Sequence, residues 1–275
     1  MRGIGRRRMI RTILRFHEKL GMNRAARSSG CNTLASSHGH DRGGPHTAPS
    51  ARRGLAALKW PEPPPVMHLG DMILVMSDVD HDLLYRLAEA QSGYFTSSQS
   101  VGAGMDRSTL RHHARPGGRF ERVRRGLYRL RHFPVSPSEH VMAAWLPLRD
   151  AGAVVSHESA LELYDLADVV PDAVHLLLPR SQRGQRQRPG VRLHTVDMPL
   201  DASEVRSVAG LPVTSPERSI VDCLASGVQP EQVELAVQQA LARGLTTATR
   251  LRRAGSDRPP RVRDFLEASM GRGLE

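Results

Sequence analysis

Residues 78–131 read DVDHDLLYRLAEAQSGYFTSSQSVGAGMDRSTLRHHARPGGRFERVRRGLYRLR, and this stretch decides the fold. Residues 78–90 place apolar side chains at helical spacing behind a cluster of acids, which predicts an amphipathic helix. Gly93 follows as a stop signal. Thr96 or Ser97 is then expected to cap a short second helix.

A third helix and a hairpin are predicted after a glycine-containing turn. Asp106 is expected to cap the helix over residues 107–114, which ends at the sequence RPGG. Residues 119–125 and 127–130 alternate apolar with charged side chains around Gly126, a pattern typical of two short antiparallel strands. Three helices followed by such a hairpin predict a winged helix-turn-helix over residues 76–133.

The arginines of this stretch favour a nucleic-acid interface. Residues 106–131 contain nine arginines but only two acids, Asp106 and Glu121. With Leu110 and Ala114 facing inward, the third helix would present Arg107 and Arg111 outward, where such a helix meets base edges. Arginines of the hairpin would contact phosphates or the minor groove. The predicted DNA-binding residues are Arg107, Ser108, Thr109, Arg111, His112, Arg115, Arg119, Arg122, Arg124, Arg125 and Arg129.

The same pattern has a second interpretation, in which the basic helix and hairpin form a solvated surface with a structural or protein-binding role. The adjacent His112 and His113 point in different directions, so they predict surface histidines beside DNA rather than a metal site.

The rest of the chain consists of one part before this stretch and one part after it. Residues 1–75 are rich in Gly, Pro, Ser and Arg, which predicts a disordered basic tail. The alternatives are an artefact of the choice of start codon, an arm that binds nucleic acid, and a targeting segment. Residues 134–270 predict a small mixed α/β domain, with strands over residues 153–155, 173–178, 191–196 and 211–214 between helices. The predicted fold class is therefore α+β. The net charge of the whole chain is +11.

These residues resemble AbiEi-type antitoxins, the antitoxin halves of bacterial type IV (abortive infection AbiE) toxin–antitoxin systems. The resemblance covers about residues 78–270. Its motifs are GYFT at residues 93–96, RVRRGLYR at 122–129, VVSHESALELYDL at 154–166, AVHLLLP at 173–179 and GLPVTSPERSIVDCL at 210–224. It implies a cytoplasmic transcriptional repressor that binds inverted repeats in its own promoter. It also implies a nucleotidyltransferase-like toxin that is counteracted without stable direct binding. A stand-alone regulator or protein-interaction module without a toxin remains the alternative.

Enzymatic activity is not expected. Nucleotide-binding glycine motifs and a serine-hydrolase elbow are missing from the sequence, which also has no lysine after Lys59. Glu158, Glu162 and Asp165 would share a helix face, which is typical of a solvated surface; a metal-dependent nuclease is the least favoured alternative. Ser156 and His157 are interpreted as helix-cap residues. Two cysteines and no long apolar run predict a reduced protein with no membrane span, and no metal or cofactor is expected.

Overall fold

In this computed structural model, residues 79–197 and 200–271 are described, and they form a mixed α+β architecture of helices and two β-sheets. The prediction of a disordered tail lies outside the described residues. No helix in the described ranges has the length and apolar character that crossing a membrane requires.

Three short helices begin the described part of the chain, each at a polar cap. In α1 (His81–Glu89), the Asp80 carboxylate accepts from the amide of Leu83 at 2.7 Å. A strand, β1 (Tyr94–Thr96), leads into α2 (Ser97–Gly102), where Thr96 and Gln99 form a reciprocal capping box. The third helix, α3 (Arg107–His113), begins at Asp106. These caps satisfy amides that a helix start otherwise leaves without partners.

A hairpin follows and pairs with the first strand. Strands β2 (Phe120–Arg124) and β3 (Leu127–Leu130) are antiparallel and turn at Gly126, whose positive φ of 77° suits glycine. The sheet order is β1-β3-β2, because β1 pairs with β3. The hairpin strands match the predicted ones closely, whereas β1 was not predicted as a strand.

This three-stranded sheet packs apolar side chains on both faces. Phe95, Phe120 and Tyr128 belong to a core that they share with residues of α1, of α3 and of the turn between α2 and α3. Tyr94 and Leu127, which alternate with those residues along the strands, belong instead to the large core of the following α/β part. The sheet therefore lies between two hydrophobic cores.

The remaining elements build the second sheet and its helices. They are α4 (Glu139–Trp145), β4 (Val154–Val155), α5 (His157–Tyr164), β5 (Val174–Pro179), β6 (Val191–Val196), β7 (Val205–Val208), β8 (Leu211–Thr214), α6 (Pro216–Ala225), α7 (Pro230–Ala242), α8 (Ala248–Gly255) and α9 (Pro260–Gly271). The five strands lie in the order β6-β5-β4-β8-β7, with parallel pairs β5–β6 and β4–β8. The pairs β4–β5 and β7–β8 are antiparallel.

Two further local features differ from what the sequence predicts. The sequence SEHVMAAWLPLRDAG predicts a single helix over residues 138–152. In the structure, α4 ends at Trp145 and a 3₁₀ segment, Leu146–Ala151, follows with Pro147 in its first turn. Proline has no amide hydrogen to continue the α-helical pattern, which accounts for the change. Strand β7 was not predicted, because its sequence VRSV carries little apolar signal.

Candidate nucleic-acid interface

Asp106 holds the start of α3 through four hydrogen bonds. Its Oδ1 accepts from the amides of Ser108 at 2.6 Å and Thr109 at 2.8 Å. The two hydroxyls also donate to this carboxylate, Ser108 at 2.8 Å and Thr109 at 3.1 Å. The amide of Thr109 and the hydroxyl and amide of Ser108 together lower the pKa of Asp106 to about 2. The carboxylate is therefore ionised at neutral pH.

These hydrogen bonds limit what Ser108 and Thr109 can do at a DNA surface. Each hydroxyl has one proton, and both protons are used on Asp106. Phosphate oxygens only accept hydrogen bonds, so neither hydroxyl can donate to a phosphate without giving up its own hydrogen bond to Asp106. Both oxygens remain able to accept from an amino group of a base.

Most of the predicted arginines form an exposed basic surface. Leu110 is buried under α3, whereas Arg107 and Arg111 on either side of it in sequence are exposed. The end of α3 lies against the start of the hairpin, since the rings of His113 and Phe120 are 5.6 Å apart. The exposed members of the predicted set are Arg107, Ser108, Arg111, His112, Arg115, Arg119, Arg122 and Arg125. We call these eight residues the basic face.

Arg124 and Arg129 are not part of the basic face, in contrast to the prediction. Arg124 donates to the backbone carbonyl of Ala143 in α4, and burial lowers its pKa to about 10. Arg129 forms an ion pair with the buried carboxylate of Glu139 at 3.1 Å and also donates to the carbonyl of Phe133 at 2.9 Å. Both guanidinium groups join the hairpin to the following region, so we correct their assignment from DNA contacts to structural contacts.

His113 also has a packing role. Its ring packs edge-to-face against the ring of Phe120, and its centroid is 6.3 Å from that of His81. Burial lowers the pKa of His113, and the nearby charge of Arg119 lowers it further. The neutral ring therefore supports the junction between α3 and the hairpin.

The acids that were considered for a metal site do not converge. The Glu158 carboxylate lies 3.2 Å from Nε2 of His175, and the Glu162 carboxylate lies 3.3 Å from Nε2 of His140. Asp165 is exposed at the end of α5, with a positive φ of 55°. Each carboxylate therefore has its own surroundings, and the three do not form one ligand set.

A separate cluster brings together His157, His175 and His194. One ring nitrogen from each lies within 4.8 Å of one nitrogen from each of the others, an arrangement with the composition of a metal site. Ser156 takes the N-cap position of α5 and His157 the first helical position, as expected, but the expected capping hydrogen bond is not formed. Instead, Oγ of Ser156 lies 2.9 Å from Nδ1 of His157.

The sequence did contain a signal for this cluster. His175 and His194 interrupt apolar strands, in VHLLLP and VRLHTV, where a polar side chain needs a partner. Which partner it has depends on strand pairing and on the position of α5, and neither follows from sequence spacing.

The comparisons with known proteins add a distant structural likeness. No family model matches the chain, and no curated protein matches its sequence. A crystal structure of the RV2827C protein from Mycobacterium tuberculosis is similar, with 18% sequence identity and a TM-score of 0.47. The match covers 70% of this chain and 77% of that one.

Proposed function

We propose that this chain is a DNA-binding transcriptional repressor, and that it is the antitoxin of a type IV toxin–antitoxin system of the AbiEi type. Residues 76–133 would act as a winged helix-turn-helix, with α3 as the recognition helix in the major groove and the hairpin as the wing. Its target would be inverted repeats in its own promoter.

The observation that carries this proposal is the basic face. Six arginines of α3, the following turn and the hairpin are exposed, and none of the six forms an ion pair with another residue in the described ranges. They are Arg107, Arg111, Arg115, Arg119, Arg122 and Arg125. Free guanidinium groups on a helix and an adjacent hairpin suit the alternating phosphates and base edges of a duplex.

The antitoxin role rests on the resemblance of residues 78–270 to AbiEi-type antitoxins. A nucleotidyltransferase-like toxin would be the functional counterpart, counteracted without a stable complex. In this proposal the protein works in the cytoplasm and is not an enzyme.

The test is a binding titration of the full chain against its own upstream DNA and a scrambled duplex of equal length. We expect Arg107→Ala/Arg111→Ala to lose about 2 to 6 kcal/mol of specific binding, because each lost base contact costs about 1 to 3 kcal/mol. Binding to the scrambled duplex should change much less, since it depends on total charge.

A matched control removes the same charge from another helix. Arg250→Ala/Arg253→Ala changes two exposed arginines of α8, and it should keep the preference for the upstream DNA. Circular dichroism would verify that both variants are folded. Equal affinity of the wild type for both duplexes would contradict the proposal and favour the protein-interaction interpretation.

A further inference from the structure

Three histidines from three elements meet on one face of the second sheet. His157 is the first residue of α5, His175 lies in β5 and His194 lies in β6. In the parallel β5–β6 pair, Leu177 is opposite His194, so His175 and His194 are diagonal neighbours on the same face. The start of α5 brings His157 onto the same two rings.

The rings are in close contact. His157 and His194 stack with centroids 3.7 Å apart and planes 15° from parallel. Nδ1 of His175 lies 3.3 Å from Nε2 of His194. His157 and His175 are 7% and 2% exposed, whereas His194 is half-buried on the edge strand and gives access from solvent.

This arrangement leaves a buried polar atom without a hydrogen bond. Among the described residues, Nε2 of His175 is one of the few buried side-chain atoms of this kind. Oε2 of Glu158 lies 3.2 Å from it without completing a hydrogen bond. A buried polar atom in this state costs free energy, so an additional group that binds this nitrogen would stabilise the fold.

The protonation of the cluster suits a metal ion. Burial, followed by the charges of its neighbours, lowers the pKa of His157 to about 3 and of His175 to about 4, and burial also lowers the pKa of His194. All three imidazoles are therefore neutral at pH 7, the form that ligates metals. Oγ of Ser156 lies 2.9 Å from Nδ1 of His157; when it accepts the Nδ1 proton, Nε2 is left free to bind a metal, the arrangement that partners of metal-bound histidines provide.

We propose that His157, His175 and His194 bind one divalent transition-metal ion, best matched by zinc, with a water molecule in the fourth position and the carboxylate of Glu158 beside the site. Three imidazoles and a water molecule suit zinc, whose tetrahedral sites hold ligand nitrogens roughly 3.3 Å apart. The present separations of up to 4.8 Å require a small contraction. The stacked rings of His157 and His194 must also rotate, because parallel rings cannot both aim a lone pair at one ion.

The surrounding charges set the strength of the site. The positive charges of Arg192, Arg218 and Arg258 disfavour the binding of a cation at the cluster. Asp222 forms ion pairs with Arg218 at 2.8 Å and Arg258 at 2.7 Å, which reduces that opposition. The carboxylate of Glu158, 3.2 Å from Nε2 of His175, would reduce it further.

The test measures zinc binding by the full, chelator-treated chain, in competition with a chromophoric chelator. We expect one tight ion per chain, and a rise in Tm of roughly 5 °C at a hundredfold excess over Kd. Both His175→Gln and His194→Gln should weaken zinc binding by more than about 100-fold, since even loss of an outer contact costs 10- to 100-fold. His140→Gln changes a buried histidine outside the cluster and should bind zinc as the wild type does.

Two further measurements keep the test decisive. His38→Gln/His40→Gln removes histidines of the N-terminal segment and should leave the tight ion in place. X-ray absorption of the zinc-loaded wild type should show only nitrogen and oxygen ligands at about 2.0 to 2.1 Å, with imidazole scattering, which requires no variant to fold. No tight zinc in the wild type, a sulfur ligand, or unchanged binding in the two cluster variants would overturn the proposal. None of these results depends on whether the chain binds DNA.

Discussion

Lowering the pH from 7 to 5 should destabilise the metal-free protein through its buried histidines. His157 and His175 have pKa values of about 3 and about 4 when folded, below the ordinary 6.5 that they regain on unfolding. Below pH 6.5 the unfolded chain therefore binds protons that the folded chain does not. A group of this kind contributes stability that is present above the unfolded pKa and is lost as the pH falls towards the folded pKa.

The magnitude follows from proton linkage. Each such proton changes the free energy of unfolding by up to about 1.4 kcal/mol per pH unit. Between pH 7 and pH 5 each histidine therefore removes about 2 kcal/mol, or about 4 kcal/mol for the pair. Glu158 acts in the opposite direction, because burial raises its pKa, so the effect of one histidine must be isolated by substitution.

The assay is urea unfolding at pH 7 and pH 5 in the presence of a chelator, followed by circular dichroism. His175→Gln removes one of the two linked protons, so its loss of stability between the two pH values should be about 2 kcal/mol smaller than in the wild type. His112→Gln changes an exposed histidine and should follow the wild type. If His175→Gln loses as much stability as the wild type over this interval, the argument that burial keeps this ring neutral is refuted.

Three other predictions concern the part of the fold that carries the basic face. Arg129→Met should cost about 3 kcal/mol in urea unfolding, because it removes the guanidinium that pairs with the buried carboxylate of Glu139. Gly118→Ala should cost at least about 2 kcal/mol and weaken DNA binding, since a Cβ there would lie 2.1 Å from the carbonyl oxygen of His113. Thr96→Ala should cost about 1 kcal/mol, because it removes the capping box at the start of α2.

Each of these changes has a control. Arg115→Met alters an exposed arginine, Gly184→Ala adds a Cβ where nothing lies within 4 Å, and Thr96→Ser keeps the capping oxygen. Each control should stay within about 0.5 kcal/mol of the wild type. A control that costs as much as its test variant would show that the contact named for that position is not the cause.

Local signals in the sequence predicted the starts of α2 and α3, with Thr96 as one of two candidate caps and Asp106 as the other helix's cap. Asp106 and Thr96 satisfy amides two or three residues away, so their effect depends only on nearby sequence. The hairpin was predicted for the same reason, since alternation and a glycine turn lie within a dozen residues. The DNA-binding function itself stays a prediction.

The errors concern contacts between distant parts of the chain. Arg124 and Arg129 look like the other hairpin arginines in sequence, and only their partners in the following region distinguish them. Likewise, His194 meets His157 only because strand pairing and α5 bring them together. Charge and periodicity do not encode such partners, since they depend on tertiary packing.

The sheet with two apolar faces has a consequence for how this protein can be divided. Cutting the chain after the hairpin would expose Tyr94, Val123 and Leu127, and would leave Arg124 and Arg129 without their acceptors. The three helices and the hairpin therefore cannot be transferred as a unit onto another protein. For the same reason, a ligand or substitution that stabilises the larger core should also stabilise the three-stranded sheet that packs against α3, the proposed recognition helix.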